Sequence, residues 1–262
     1  MKPKTSKLTK VRIPQVVTQP SDQGTSQTDR ATVALRELLV QGKFPPGERM
    51  REVPLAKQLG VSRIPLRLAL ERLAHEGFLE IRPTRGFIAQ QFSMSDIDDA
   101  SDLRGTIEGM AARLAAERLA DVADVDALKL LHEQMATLIR RKQLTLSAVA
   151  EYIDCNSRFH AEIVTLSRSR RLRLAMEQIC CLPFASPSAF LRRQYLAPES
   201  HELFMISVEH HRVIVDAIRS REGARAESVT REHAKVARRN LESAFAHQGI
   251  GESVPGLKLI KL

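Results

Sequence analysis

Helix-breaking residues recur at short intervals in the first third of the chain, and their positions restrict what it can fold into. The breaks fall at Gly42–Gly47, at Gly60, at Gly77 and at Pro83–Gly86. The intervals, which carry apolar residues at helical spacing, predict three short helices over about 29–40, 52–59 and 62–76, and then a small hairpin over about 78–89. Three helices with a tight break between the second and third, followed by a hairpin, are typical of a winged helix-turn-helix domain.

After Met94 the apolar residues follow the helical period nearly to the end of the chain, without strand-like alternation. We expect Ser95 and Asp96 to cap a first long helix, and further helices over about 125–141, 147–166, 201–220 and 223–246. A segment rich in Pro and Ser, 182–200, interrupts them. The predicted fold class is mainly α: an N-terminal winged helix-turn-helix with a small β-hairpin wing, and a C-terminal all-α antiparallel helical bundle.

These patterns divide the chain into four parts. We expect a disordered basic arm over 1–28, a winged helix-turn-helix domain over 29–92, a helical domain over 93–247 and a flexible tail over 248–262. Residues 1–92 carry 16 Lys and Arg against 8 Asp and Glu, whereas residues 93–262 carry 24 against 23. A basic module joined to a neutral one favours binding of a polyanion at one end, and a basic surface kept for solubility is the alternative.

Several classes of protein are excluded by composition. No run of about 18 apolar residues exists, so we expect no membrane span, and the basic N-terminus lacks the apolar region of a secretory signal. Cys155, Cys180 and Cys181 give an odd number of cysteines without a CxxC pair. A disulfide framework and a cysteine-rich zinc module are therefore not expected, and a reducing, cytoplasmic location fits better.

The winged segment carries a specific set of motifs. It contains G-x-F-x-P-G-E from Gly42, LAKQLGVSR-x-P-x-R from Leu55, then AL-x-RL-x-x-EGFLE, and RPTRGFIA ending at Ala89. About 55 residues in this order and spacing resemble the DNA-binding domain of bacterial GntR-family transcription regulators. Leu68 departs from the pattern, because the family's R-E-A-L run usually has Glu there, and so do Val53 and Pro54 at the start of helix two.

This resemblance implies that the third helix enters a major groove of DNA. Ser62 is its expected N-cap and a possible phosphate contact, while Arg63 and Arg67 lie four residues apart on one outward face. Their guanidinium groups would reach phosphates or guanine edges, and the alternative is a solvated charged face. On the wing, the resemblance places Arg82, Arg85 and Gly86 against the DNA backbone.

The helical part carries a second, looser resemblance over about 150 residues. DLRGTIEGMAARLAAERLA from Asp102, N-S-R-F-H ending at His160, HHRVIVDAI and VTREHAKVARRNL resemble the FCD-type effector domain of the FadR subfamily of GntR regulators. The family's histidine positions fall on His160, His211 and His233.

The spacing of these residues suits a metal. Asn156 and His160 are four residues apart on one helix face, whereas His211 and His233 lie on two later helices joined by a short link. Three imidazoles with one amide oxygen suit Zn, Ni or Mn and leave positions open for a small anion. Ordinary core or surface roles are the alternative for each histidine, and we expect them for His75, His132, His201, His210 and His247.

Arg104 fits the family's R-x-x-I/L-E pattern, with Glu108 four residues on. It either binds a carboxylate of an effector or pairs with Glu108 on its own helix. Arg192 and Arg193 lie in the irregular segment, where only their charge suggests ligand contact.

The expected protein is a homodimeric transcription regulator, not an enzyme. Its winged domains would bind a palindromic operator, and its helical domain would hold a divalent metal and a small carboxylate effector. We expect it in the bacterial cytoplasm, associated with the nucleoid when bound to DNA. The alternatives are a metal-dependent hydrolase or lyase tethered to DNA, which would lack an obvious general base, and a nonspecific DNA-binding protein.

Overall fold

The first part of the chain forms three helices and a two-stranded hairpin. The computed structural model describes residues 26–141, 144–186, 200–246 and 259–261. Its first elements are α1 (Gln27–Val40), α2 (Glu52–Leu59), α3 (Arg63–His75), β1 (Leu79–Arg82) and β2 (Gly86–Ala89). β1 and β2 pair antiparallel, with Leu79 opposite Ala89 and Arg82 opposite Gly86. The predicted winged helix-turn-helix is confirmed.

Local sequence explains where these helices begin and end. The side chain of Ser26 caps α1 by accepting a hydrogen bond from the backbone of Asp29, so the helix includes the last two residues of the predicted arm. Gly60 ends α2 with a φ of 65°, a left-handed conformation that glycine adopts without strain. Ser62 is the N-cap residue of α3, although its side chain makes no capping hydrogen bond within the described residues.

The inner faces of α1 and α3 build the core of this domain. Five leucines that are fully buried pack there with the hairpin: Leu35, Leu39, Leu66, Leu70 and Leu73. Arg36 on α1 also reaches the buried carboxylate of Glu76, just after α3, at 2.6 Å. The opposite face of α3 is thereby held outward in a fixed orientation.

The second part of the chain is helical. After β3 (Phe92–Ser93) come α4 (Met94–Glu117), a 3-10 turn (Val122–Val125), α5 (Asp126–Ile139), α6 (Leu146–Leu166), α7 (Arg170–Cys181), α8 (Ser200–Arg219), α9 (Gly223–Ala246) and the short strand β4 (Ile260–Lys261). The predicted helical bundle is confirmed. Within the described residues, no helix is both long and apolar enough to cross a membrane.

Two local features of the bundle differ from expectation. Ser93, not Ser95, is the N-cap of α4: its side chain accepts from the backbone of Asp96, whose carboxylate accepts from the backbone of Ser93 in return. This reciprocal box satisfies two otherwise unpaired N–H groups. The helix α7 was not among the predicted elements, and it buries Leu172, Met176 and Ile179 against the bundle.

Glycines allow α4 and α9 to pack unusually closely. A Cβ atom on Gly105 would lie 2.8 Å from the Cβ of Ala234, and one on Gly109 would lie 2.8 Å from the Cγ of Arg231. Both distances are well below a normal carbon–carbon contact of about 3.5–4.0 Å. The backbone of α9 therefore lies directly against the middle of α4.

The joint between the two parts includes the last described residues. β4 pairs in parallel with β3, with Ile260 opposite Phe92, and both Leu259 and Ile260 are buried. The Phe92 ring also contacts Phe184 edge to face, with ring centroids 5.2 Å apart. The segment predicted as a flexible tail thus includes β4 (Ile260–Lys261), while residues 247–258 lie outside the described residues.

Candidate functional site

Three buried histidines converge in the helical domain. His160 comes from α6, His211 from α8 and His233 from α9, and all three side chains are almost fully inaccessible. Their ligand atoms lie within 4.8 Å of one another. Three different helices therefore bring together the three imidazoles that the sequence suggested as ligands.

The ring nitrogens of these histidines point at a common centre. The Nε2 atom of His233 lies 3.1 Å from that of His211 and 3.3 Å from that of His160. One imidazole nitrogen either donates or accepts, so the two contacts of His233 cannot both be good hydrogen bonds between neutral rings. Nitrogens bound about 2.1 Å from one ion at about 90–110° are about 3.0–3.4 Å apart, so the spacing fits a metal ion.

Burial keeps two of these rings neutral. It lowers the pKa of His211 and His233 well below the usual imidazole value, and repulsion from the other histidines of the cluster acts in the same direction. Phe159 packs on His211 with ring centroids 4.4 Å apart and closes that side of the cluster. Neutral, buried rings offer the lone pairs that a metal requires.

A buried carboxylate supports His160 from behind. The Oε1 atom of Glu108, on α4, lies 3.2 Å from Nδ1 of His160. Burial opposes ionisation of Glu108, but its interactions with His160 and with the Arg104 guanidinium outweigh this effect, so the pKa of this carboxyl lies below its usual value. A carboxylate at Nδ1 favours the proton there and leaves Nε2 free to bind a metal.

Arg104 is buried beside this cluster and is only partly paired. Its guanidinium donates to the carbonyl oxygen of Ala234 at 3.2 Å, next to His233. Within the described residues its Nε has no hydrogen-bond partner, and no ion pair joins it to Glu108, whose carboxylate faces His160 instead. The direct Arg104–Glu108 pair considered from the sequence is therefore not formed, and the guanidinium keeps a donor available.

The remaining candidate residues lie both inside and outside the described parts of the chain. Asn156 is buried one turn before His160 on α6, so its role as a fourth ligand stays a prediction. His201 contacts the carbonyl oxygen of Ile139 at 3.1 Å, and His75, His132 and His210 stand outside the three-histidine cluster. Arg192, Arg193 and His247 lie outside the described residues.

A second site lies on the outward face of the winged domain. Ser62, Arg63 and Arg67 are all exposed on α3 or at its start, and Arg67 pairs with Glu71 at 3.2 Å across one helical turn. This pair lies in solvent and is weak enough to be exchanged for another anion. The arrangement offers two guanidinium groups to a large, flat or convex polyanion.

The wing extends this face. Arg82 and Arg85 are exposed at the tip of the hairpin, and Arg82 pairs with Glu80 at 2.8 Å. Gly86 has a φ of 71°, a left-handed conformation in which a side chain would be strained. The structure therefore brings the predicted helix and wing residues into one domain, with their charged groups in solvent.

Three residues of these sites were not singled out as functional from the sequence. Arg49 and Arg51 line the same groove as Arg63 and Arg67. The sequence does show two arginines on either side of an apolar residue just before α2, which is a pattern that could have suggested a basic surface there. Glu108 was considered only as a partner of Arg104, because its contact with His160 depends on the packing of α4 against α6.

Comparison with known families is consistent with this architecture. The family model described as "FCD domain" matches residues 99–236, which contain all three histidines. The model described as "Bacterial regulatory proteins, gntR family" matches residues 27–88, the segment from α1 to the wing. Together the two matches cover most of the chain.

Individual relatives are described as transcriptional regulators. The chain is 32% identical over 151 residues to the uncharacterized HTH-type transcriptional regulator YdhC of Bacillus subtilis, and 34% identical over 142 residues to the Nta operon transcriptional regulator of Aminobacter aminovorans. These matches cover 55% and 54% of this chain, and 62% and 64% of the relatives. The solved structure of McbR/YncC from E. coli is 26% identical, with a TM-score of 0.56 over 84% of this chain and 97% of that one.

Proposed function

Since the chain belongs to the gntR family of bacterial regulatory proteins and carries an FCD domain, it is a transcription regulator, and we propose that a small organic acid controls its affinity for DNA. The acid binds in the helical domain together with a divalent metal. The observation that carries this proposal is the convergence of three buried Nε2 atoms at 3.1 and 3.3 Å. The family is one of regulators, not enzymes.

The metal site is built from residues of three helices. His160, His211 and His233 would hold the ion, and Asn156 is the proposed fourth ligand. A nitrogen-rich set of this kind suits Zn, Ni or Mn. When bound, the ion supplies a Lewis acid with open positions for a carboxylate oxygen. Glu108 orients His160, and the neighbouring rings exclude water from its buried side.

Arg104 is the proposed partner of the effector's charge. It is buried beside the three histidines, and its Nε donor is free within the described residues. A buried cation without a full set of acceptors is costly, and a carboxylate would supply the missing ones. The proposed ligand is therefore a small carboxylic acid.

The winged domain supplies the DNA contacts. In the proposed complex α3 lies in the major groove, where Arg63 and Arg67 reach phosphates or guanine edges and Ser62 contacts a phosphate. Arg82 and Arg85 of the wing contact the adjacent backbone, which Gly86 lets the chain approach closely. Arg49 and Arg51 extend the basic groove beside α3.

A dimer would place two such domains on a palindromic operator. The exposed side of α4 carries Leu103 and Met110, seven residues apart on one face, which a second copy could cover. Effector binding would shift the helices that hold the three histidines and change the spacing of the two DNA-binding heads. Coupling of this kind is typically worth about 1–3 kcal/mol, or about 5- to 150-fold in operator affinity. The proposed location is the cytoplasm, with nucleoid association on DNA.

Metal analysis tests the helical-domain half of the proposal. We expect near-stoichiometric metal in the purified protein, and its loss in His211→Ala, while His75→Ala, at an exposed position on α3, serves as the control. Thermal-shift screening of small organic acids on the metal-loaded protein should then identify stabilising acids, whose effect Arg104→Gln removes. Metal-free wild-type protein that gains no stability from Zn²⁺, Ni²⁺ or Mn²⁺ would rule the site out.

Substitution on α3 tests the DNA-binding half. Arg67→Ala should abolish binding to a selected operator without changing the melting temperature, because the side chain is exposed. Arg219→Ala, an exposed arginine of the helical domain, should have no effect. Specific binding should persist at salt concentrations that release random DNA. A folded Arg67→Ala protein that binds as the wild type does would contradict the assignment.

A further inference from the structure

Two large aliphatic side chains are exposed on α3. Ile64 is 75% exposed and Leu68 is 49% exposed, although the opposite face of the same helix buries Leu66 and Leu70 completely. Isolated apolar residues on a surface need no explanation, but these two are one helical turn apart and form a continuous strip. Packing within the domain does not account for the strip. Its position relative to Arg63 and Arg67 indicates what it could contact.

The strip runs beside the two arginines of the recognition face. Because each residue of a helix turns by about 100°, Ile64 and Leu68 form a row next to the row of Arg63 and Arg67. Both rows begin in the first turn of α3, the end of a recognition helix that approaches base edges. A ligand that accepts the arginines therefore also meets the aliphatic strip.

Duplex DNA offers one apolar group in its major groove. That group is the C5 methyl of thymine, whereas the other base edges present hydrogen-bond donors and acceptors. An aliphatic side chain cannot satisfy those groups and leaves them unpaired when it covers them. Glu at position 68, as in the R-E-A-L run of the family, would accept a hydrogen bond from cytosine, and Leu68 cannot.

We propose that Ile64, with Leu68, reads thymine methyl groups in each operator half-site. The inference rests on the proposed placement of α3 in the major groove. It adds a preference for particular bases, which that placement alone does not specify. Thymines face the first two turns of α3, next to the bases or phosphates that Arg63 and Arg67 contact. Ile64 is the principal reader because more of its side chain is free to be covered.

The effect of one methyl contact can be stated in advance. Burying a group of this size is worth about as much as a buried methylene, which corresponds to about a 4-fold change in affinity. Replacing thymine by uracil removes the methyl and leaves base pairing unchanged. Each contacted thymine should therefore weaken binding about 4-fold when it is replaced by uracil, and other thymines should not.

The experiment uses the full chain and a selected DNA. Rounds of selection from a random duplex library give a preferred site, which is then synthesised with uracil at one thymine at a time. Fluorescence anisotropy measures the affinity of the wild type, of Ile64→Ala and of Leu68→Ala. Leu130→Ala, an aliphatic residue of α5 with 56% exposure, is the matched control.

We expect the wild type and the Leu130→Ala control to lose about 4-fold in DNA affinity when particular thymines are replaced by uracil. We expect Ile64→Ala to bind the thymine and uracil duplexes with equal affinity. A preferred site without thymine under α3, or a uracil effect that survives in Ile64→Ala, would overturn the inference while leaving DNA recognition intact. Selection of no preferred site would overturn it together with sequence-specific binding. A change in oligomeric mass in Ile64→Ala, with uracil sensitivity kept, would assign the strip to a protein interface and also overturn it.

Discussion

The close contact between α4 and α9 predicts that a single methyl group will disturb the metal site. Gly105→Ala places a Cβ atom 2.8 Å from the Cβ of Ala234, and Ala234 directly follows His233. The Ala234 methyl group is fixed to the backbone of α9 and cannot rotate away. Restoring a contact of about 3.5–4.0 Å therefore requires α4 and α9 to separate by about 1 Å.

The expected loss of stability is modest. Overpacking of this kind costs about 1–3 kcal/mol, and replacing glycine by alanine inside a helix returns about 1 kcal/mol. The net free energy of unfolding should therefore fall by about 0–2 kcal/mol. The effect on the metal should be larger, because a displacement of about 1 Å is large against Nε2 separations of 3.1 and 3.3 Å. We expect at least about a 10-fold loss of affinity, the scale seen when a ligand's supporting contacts are removed.

Competition with a chromophoric chelator measures the Zn²⁺ affinity, and thermal melting of the metal-free protein measures the stability. Gly223→Ala is the matched control: its methyl group would meet the side chains of Arg113 and Glu117 at 3.0–3.2 Å, ten residues from His233. Those side chains are flexible, so we expect the control to bind Zn²⁺ normally. If Gly105→Ala also binds Zn²⁺ within 2-fold of the wild type, the contact between the two helices does not position His233.

Two further changes test contacts of the described structure. Glu108→Gln removes the charge behind His160 and should weaken Zn²⁺ binding by about 10- to 100-fold in the same chelator competition. Glu117→Gln, on the same helix, should leave Zn²⁺ affinity unchanged. Equal affinities of the two variants would contradict the supporting role of Glu108. Deleting residues 257–262 removes the buried side chains of Leu259 and Ile260, each worth up to about 1.5–3 kcal/mol, and should lower the melting temperature. An unchanged melting curve would show that β4 adds nothing to stability.

Local signals were sufficient for most of the secondary structure. The glycines and prolines that interrupt residues 42–86 set the ends of α1, α2 and α3 because they act on their own segment of chain. The sequence predicts the N-cap of α4 two residues late because Ser93 and Ser95 each have an aspartate three residues on, Asp96 and Asp98, and only the reciprocal hydrogen bonds distinguish them. The helix α7 is absent from the sequence prediction, although its buried residues Leu172, Met176 and Ile179 follow the helical period.

Contacts between distant residues were harder to predict. Family spacing pointed to His160, His211 and His233, which the structure brings together. Glu108 is separated from His160 by about a third of the helical domain in sequence, so only the packing of α4 and α6 reveals their contact. The strand β4 has two residues and pairs with β3, which lies far away in the sequence. A segment this short has no periodic pattern from which a strand could be predicted.

The pairing of β3 with β4 has a consequence for the order of events during synthesis. Every residue of the winged domain is made before Ile260, and so is every ligand of the three-histidine cluster. Domains fold as units as the chain emerges, and contacts of long sequence separation form late. A nascent chain can therefore complete its winged domain before β4 is available to pair with β3, and the contacts of Leu259 and Ile260 form after the helices that hold the three histidines have been made.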